Sequence, residues 1–323
     1  MYCISQVIDN TMTEKKFRVM FYNVENFFDY YIDSTSNYNE FTPEGERRWT
    51  ATKYIRKRNS IYKVIKAVGG WVPVTLIGLC EIENELVINN LIDNTPLNKY
   101  GYNYVHFDSP DKRGIDVCLI YHEANFSVIY SKALNIKDTA DLDFTTRDIL
   151  YVVGKIDNDT IHVFVNHWTS RYRGLFESEK YRLLASNKLL EITDSICNSA
   201  PSSNIIIMGD FNDNPYNESI TRITDLSDCD IVNLNMISKN KNVEGTMKYK
   251  QSWHYFDQIL VSQSLFDSVK IESSPTATIF DAGFLLIPDD IHLGYKLNRT
   301  YYGYKYMGGF SDHLPIYFDL VVK

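Results

Sequence analysis

Short apolar runs dominate the chain, and most are stopped or opened by a carboxylate, an amide or a histidine. Phe17–Tyr22, Val74–Cys80, Ile115–Tyr121, Phe126–Tyr130 and Ile149–Lys155 are rich in Val, Ile, Phe and Tyr. The series continues with Ile161–Asn166, Asn204–Met208, Phe256–Val261 and Leu314–Val322. Runs of this length, bounded by Gly, Asp, Asn or Pro, read as β-strands. Two segments carry helical spacing instead. Over 46–68, Tyr54, Ile55, Ile61, Ile65 and Val68 share one face, and Gly69-Gly70 ends the pattern. Over 177–197, Tyr181, Leu184, Ala185, Leu189, Ile192 and Ile196 do the same, and a shorter helix is expected from Asn84 to Asp93. Strands outnumber helices, yet both long helices are amphipathic and need sheet faces to cover. A layered α/β (α+β) protein follows, in which the sheets also pack against each other.

No Pro/Gly/Ser-rich linker, composition shift or internal repeat divides the 323 residues, so one domain is expected over 17–323. Residues 1–16 read as a disordered extension, polar and without the apolar centre of a signal peptide. The segment 276–310 is the least regular part, with Tyr295, Tyr301, Tyr302, Tyr304 and Tyr306 among glycines, and reads as a long loop.

Charge and cysteine usage limit the function classes. The 33 basic residues less the 41 acidic ones leave −8, which speaks against a broadly basic surface that coats DNA. No apolar run approaches the roughly eighteen residues a spanning helix needs, so membrane insertion is not expected. The five cysteines, at 3, 80, 118, 197 and 229, lack CxxC pairs. That argues against a disulfide framework or a zinc site, and for a cytoplasmic chain. Nothing implies an obligate protein partner.

The strand ends carry the chemistry. Val19-Met20-Phe21-Tyr22 ends in Asn23, with Glu25 behind it, and the run to Cys80 ends in Glu81, followed by Glu83 and Asn84. Val163-Phe164-Val165 ends in Asn166-His167, and Ile205–Met208 ends in Gly209-Asp210-Phe211-Asn212. Asp257 opens another run, and Ser311-Asp312-His313 opens the last. Singly, each has a plainer reading as a turn, a strand entry or a packing histidine. Together and in this order, they describe an acidic pocket. Carboxylates about 4 Å apart repel by about 4 kcal/mol at an effective dielectric near 20, so such a pocket needs a cation, a proton or charged histidines. Oxygen-rich donors without a cysteine cluster favour Mg²⁺ or Mn²⁺ over zinc.

These motifs, from Phe21-Tyr22-Asn23-Val24-Glu25-Asn26 to Ser311-Asp312-His313-Leu314-Pro315, resemble the endonuclease/exonuclease/phosphatase superfamily over nearly the whole chain. Bacterial members with Arg113-Gly114-Ile115-Asp116-Val117 and Asn166-His167-Trp168 are the most alike. Cys80 departs from the pattern, because many relatives place Gln before the metal-binding Glu. The resemblance implies a deoxyribonuclease I-like four-layer sandwich, two packed mixed β-sheets flanked by helices. It implies a metal-dependent hydrolase of phosphate esters, with a nucleic acid as the favoured substrate. A phosphatase or phosphodiesterase on a small or lipid phosphate is the alternative, and an idle binding scaffold a third.

In that reading Glu81 is the leading metal ligand, helped by Asn23 and Asp312. Asp210 activates the attacking water and Asn212 helps hold it. His167 and His313 donate to phosphate oxygens, and Asp257 orients His313. Glu25, Glu83 and Asn84 are expected to support the site or cap a helix. Arg113, Arg171 and Arg299 are the favoured substrate contacts, ahead of Arg173 and Lys305. The locally basic stretch 47–58, with Arg47, Arg48, Lys53, Arg56, Lys57 and Arg58, reads as a solvated helix face. The tyrosine-rich segment suits stacking on a base and, equally, packing against Trp253 and the sheet edge.

Overall fold

The computed structural model describes residues 15–31, 40–268, 270–271 and 276–322. Of the expected extension 1–16, residues 1–14 lie outside the described residues, whereas Lys15 and Lys16 already open the first strand.

The first half of the chain runs β1 (Lys15–Phe27), α1 (Ala51–Gly69), β2 (Leu76–Ile82), α2 (Glu85–Asp93), β3 (Tyr102–His106) and β4 (Asp116–His122). Then come β5 (Ser127–Leu134), β6 (Ile149–Ile156), β7 (Asp159–His167), α3 (Leu175–Ser199) and β8 (Asn204–Asp210). The second half adds α4 (Glu218–Leu226), β9 (Ile231–Asn233), β10 (Asn235–Ser238), β11 (Met247–Tyr249) and β12 (Ser252–His254). It continues with β13 (Asp257–Ser262), α5 (Ser264–Ser268), β14 (Lys270–Ile271), β15 (Thr276–Ile279), β16 (Leu286–Pro288) and β17 (Tyr295–Leu297). It ends with β18 (Tyr301–Tyr302), β19 (Lys305–Tyr306) and β20 (Ile316–Val322).

Two mixed sheets result. One has the order β10-β15-β20-β1-β2-β4-β3, with β14 also on β20; the other has the order β5-β6-β7-β8-β13-β9. Side-chain alternation explains their stacking. On β8, Ile206 and Met208 join the large core shared with Met20, Leu79 and Val163, while Ile205 and Ile207 face a second core with Ala185 and Leu189 of α3 and Ile220 of α4. Residues of α1 such as Ile61 and Val64, and Val87 and Leu91 of α2, belong to the first core. The order is therefore helices, sheet, sheet, helices, as the resemblance implied. Gly78 permits the close sheet contact, since a Cβ there would lie 2.9 Å from Met208 Sδ.

Two expectations need correction. The segment 276–310 is no loop: it holds β15 and two short hairpins, β16–β17 and β18–β19. Strands of two or three residues leave no run for period-two reading, and Gly303 at φ +56° supplies the tight turn of the second hairpin. Its buried Tyr301 packs on Phe41 and Trp49, while Tyr302 and Tyr304 stay exposed. The cysteines are not all free: Cys197 at the end of α3 is bonded to Cys229, while Cys80 and Cys118 are buried thiols. A spacing of 32 residues without a motif left that pair invisible in the sequence. Among the described residues, no helix is long and apolar enough to cross a membrane.

Candidate active site

Parallel pairing puts strand ends on one edge. Strands β7 and β8 run parallel with His167 opposite Asp210, and antiparallel β13 sets Asp257 opposite Asp210 on the other side. In the facing sheet, β1 and β2 are parallel with Asn23 opposite Cys80. Both pairings lose register just beyond, after Asn23 in β1 and at Cys80/Ile82 between β2 and β4. Such bulges re-aim side chains beside active sites. Glu25, Asn26, Glu81 and Asn212 all take positive φ, at +53°, +56°, +64° and +50°. Non-glycine residues in that region mark backbone held against its preference, commonly where function demands it.

Asp210 is the hub. Its Oδ2 accepts from Asn23 Nδ2 at 3.0 Å and lies 3.7 Å from Nε2 of both His167 and His313. Its Oδ1 accepts the Asn212 amide at 2.9 Å. His313 Nδ1 is 2.7 Å from Asp257 Oδ2. Among the described residues, the remaining Asp257 oxygen and His167 Nδ1 are buried without a hydrogen-bond partner. Glu81 lies 4.0 Å from His167 Nε2 and accepts from the Asn26 amide at 2.8 Å, with Arg113 at 3.7 Å. Asp312 pairs with Arg299 at 2.7 Å, and Arg299 also meets buried Glu25 at 3.1 Å.

Burial and charge split the two histidines. Burial pushes His167 well below its ordinary pKa, and Arg147, Arg113 and His313 push the same way. Burial also opposes the His313 cation, but Asp257, Asp210 and Asp312 outweigh it and hold its pKa well above the ordinary value. Burial lifts Asp210 to about 6, with His313 pulling down and Asp257 pushing up. Burial and the neighbouring Asp312 lift Glu25 to about 7. One imidazole is thus neutral and the other cationic, within reach of one carboxyl group.

The expected catalytic and metal residues Asp210, Asn212, His167, His313, Asp257, Glu81, Asn23 and Asp312 therefore gather in one place. The arginines are less free than expected. Arg171 is tied to Asp213 and to the Asn212 carbonyl, where it shapes the loop behind the site. Arg299 is held between Glu25 and Asp312, and Arg113 bonds Asn26 at 2.7 Å. Asn84 is the N-cap of α2, accepting from Val87, and Glu83 accepts from the Asp29 amide. Lys305 sits exposed on β19. Arg147 and Asp213 escaped the sequence reading. Arg147 donates to the His167 and Trp168 carbonyls, and Asp213 binds Arg171, Arg182 and Ser219. Arg147 gives no local signal, but Asp213 directly follows Asn212.

The donors fit a hard divalent cation. Glu25, Glu81, Asp210, Asp257 and Asp312 bring five carboxyl groups to the site, and Asp210, Asp257 and His313 place ligand atoms within 4.8 Å of one another. Two of those carboxylates stay accessible, Glu81 at 13% and Asp312 at 25% of their side-chain area, as a metal that keeps water and substrate requires. Burial pushes the Cys80 thiol well up, and the nearby carboxylates push it further, which suits a packing residue. Asn23 turns Nδ2 toward Asp210 and Glu81, because its Oδ1 accepts from the Glu25 amide at 2.9 Å.

Comparison with known proteins agrees. No curated protein sequence matches the chain. The human Nocturnin catalytic domain with bound sulfate superposes with a TM-score of 0.56 at 17% identity, covering 95% of this chain and 97% of its own. An endonuclease/exonuclease/phosphatase family protein from Bacteroides thetaiotaomicron gives 0.59 at 14% identity, covering 96% and 99%. TDP2 from Caenorhabditis elegans gives 0.57 at 13%, covering 94% of this chain and 75% of that one. These likenesses establish the fold. The family model matches residues 18–322, and the chain belongs to the Endonuclease/Exonuclease/phosphatase family.

Proposed function

We propose that the chain hydrolyses phosphodiester bonds of nucleic acid with the help of a divalent metal, Mg²⁺ or Mn²⁺. The observation that carries this reading is Asp210 Oδ2, set 3.7 Å from both His167 and His313, with His313 tied to Asp257 at 2.7 Å. Asp210, raised toward neutrality, takes a proton from water at its carboxylate while Asn212 orients the attack. Cationic His313 donates from Nε2 to a phosphoryl oxygen, and Asp257 fixes the ring and stabilises its charge. His167 lies on the other flank of Asp210 and offers a second donor. Glu81 and Asp312, with Asn23 if its amide turns, would hold the metal, which supplies Lewis-acid stabilisation of the phosphoryl and leaving oxygens when bound. Arg113, Arg171 and Arg299 brace these groups and remain candidate substrate contacts.

A cavity of about 130 Å³ beside Glu25, Asn26, Arg47 and Arg299 favours a second reading, a small phosphate ester as substrate. A catalytically idle scaffold has little support, because one would not need a buried cluster of like charges.

Hydrolysis of bis-p-nitrophenyl phosphate and p-nitrophenyl phosphate, with plasmid nicking in parallel, tests the proposal. Diester cleavage and nicking should require Mg²⁺ or Mn²⁺, stop with EDTA, and fall at least about 10³-fold in Asp210→Asn and His313→Ala. Full activity in either variant would overturn the mechanism. Monoester release without nicking would favour the second reading.

A further inference from the structure

Helix α1 and the segment 298–310 enclose an open groove of about 590 Å³. Arg56, Asn59 and Lys63 line one wall; Asn298, Met307 and Phe310 line the other. Its floor is fixed. Buried Lys57 donates from Nζ to Thr300 Oγ1 and to the Phe310 carbonyl, each at 2.5 Å, and pins the helix to the segment. Gly308 brings the backbone against Arg56, since a Cβ there would lie 2.7 Å from Arg56 Cζ. The groove adjoins the catalytic cluster through the chain itself: Asn298 lines it, while the next residue, Arg299, binds Glu25 and Asp312.

Its cations differ from those of the cluster. Arg113, Arg147, Arg171 and Arg299 each face a carboxylate within 4 Å. Among the described residues, Arg56 and Lys63 form no ion pair, and both are exposed. Lys63 instead rests on the rings of Phe284 and Phe310, 4.4 and 5.4 Å from their centroids. Seven residues separate the two cations, or about 10 Å along the helix, which suits a chain of phosphates better than one isolated anion. The volume falls in the range of ordinary ligand sites.

We infer that this groove binds the backbone phosphates of a nucleic-acid strand at nucleotides remote from the scissile bond. The inference rests on the proposed activity for its substrate class, but it is tested by binding alone. Fluorescence anisotropy would follow a fluorescein-labelled ten-residue thymidine oligonucleotide in EDTA, over a range of salt. The wild type should bind, and Arg56→Glu/Lys63→Glu should weaken binding at least about tenfold. The slope of log K against log salt should shrink by about 1.4 if two phosphate contacts on a single strand are lost. Hydrolysis of bis-p-nitrophenyl phosphate, too small to reach the groove, should be unchanged in the double variant.

Equal oligonucleotide affinity in the two proteins, or no binding by either, would overturn the groove assignment. Inorganic phosphate at millimolar concentration tells an anion site from a strand site: displacement of the oligonucleotide by phosphate alone would also overturn it. Binding that follows these expectations, in a wild type that cleaves no diester, would refute the proposed activity and leave the groove standing.

Discussion

Removing the Cys197–Cys229 bridge tests a feature that pulls against the cytoplasmic expectation. The bridge joins the end of α3 to the segment just before β9 and closes a loop of 32 residues. Inside that loop lie β8 with Asp210, the Asn212 turn and α4. In the chain-entropy account, a loop of this size constrains the unfolded chain by roughly 3–4 kcal/mol. For a chain of 323 residues, at about 2.1 cal/mol/K of unfolding entropy per residue, that corresponds to about 4–6 °C in melting temperature. Both sulfurs are buried, so Cys197→Ala/Cys229→Ala leaves two small apolar side chains and little else changed. Calorimetry should compare the oxidised wild type, the wild type reduced under denaturant and refolded in dithiothreitol, and the double variant. The last two should melt together, below the first. Thiol titration of the denatured, oxidised chain should find two fewer thiols than the same chain after reduction. Equal thiol counts, or equal melting temperatures in all three samples, would refute the reasoning. Such bridges persist in oxidising compartments and are rare in reducing ones.

Two further outcomes follow from buried charges. Asp213 lies between Arg171 at 2.5 Å and Arg182 at 2.7 Å, so Asp213→Ala leaves two guanidinium groups without their carboxylate. Urea unfolding should show a loss of about 3–5 kcal/mol, and diesterase activity should fall because Arg171 no longer holds the Asn212 carbonyl. An unchanged midpoint would contradict that role. Burial raises the Asp319 pKa, but Arg18 and Lys16 outweigh it and hold it below the ordinary value. Its contribution is therefore complete above about pH 4 and is lost as pH falls through the lowered folded-state value. The stability gap between wild type and Asp319→Asn should be flat from pH 5 to 8 and shrink below pH 4; a gap that widens in acid would reverse the sign.

What the sequence disclosed follows from the range of each interaction. The strand cores and the three expected helices were legible because period-two and 3.6-residue patterns are local. Asp210 and His313 were legible because each polar stop follows or precedes an apolar run. Arg147 was not, since its role is to hold the His167 and Trp168 carbonyls from a strand start 20 residues away. Arg171 and Arg299 looked like free phosphate hooks because the sequence does not show Asp213 or Glu25 turning toward them. The hairpins of 286–306 were hidden by their brevity. Helix α4 was hidden by its nine residues, of which only Ser219, Ile220 and Ile223 are buried.

The same contrast explains why the site is built as it is. Strand β8 carries Asp210 with every residue buried, between parallel β7 and antiparallel β13. Its backbone cannot shift without disturbing both cores, so the hub carboxylate is fixed by packing rather than by its own hydrogen bonds. Glu81 and Asn212 sit one or two residues past regular strand pairing, with positive φ, and depend on local contacts to the Asn26 amide, the Trp168 carbonyl and Asp210. In the proposed chemistry, the metal ligand Glu81 and the water-orienting Asn212 thus occupy the strained rim. The proposed proton acceptor between the two histidines, Asp210, occupies the rigid interior, where burial itself lifts its pKa toward neutrality. A chain that moved Asp210 one residue outward would gain solvation and lose that shift, and with it the basicity the proposed chemistry requires.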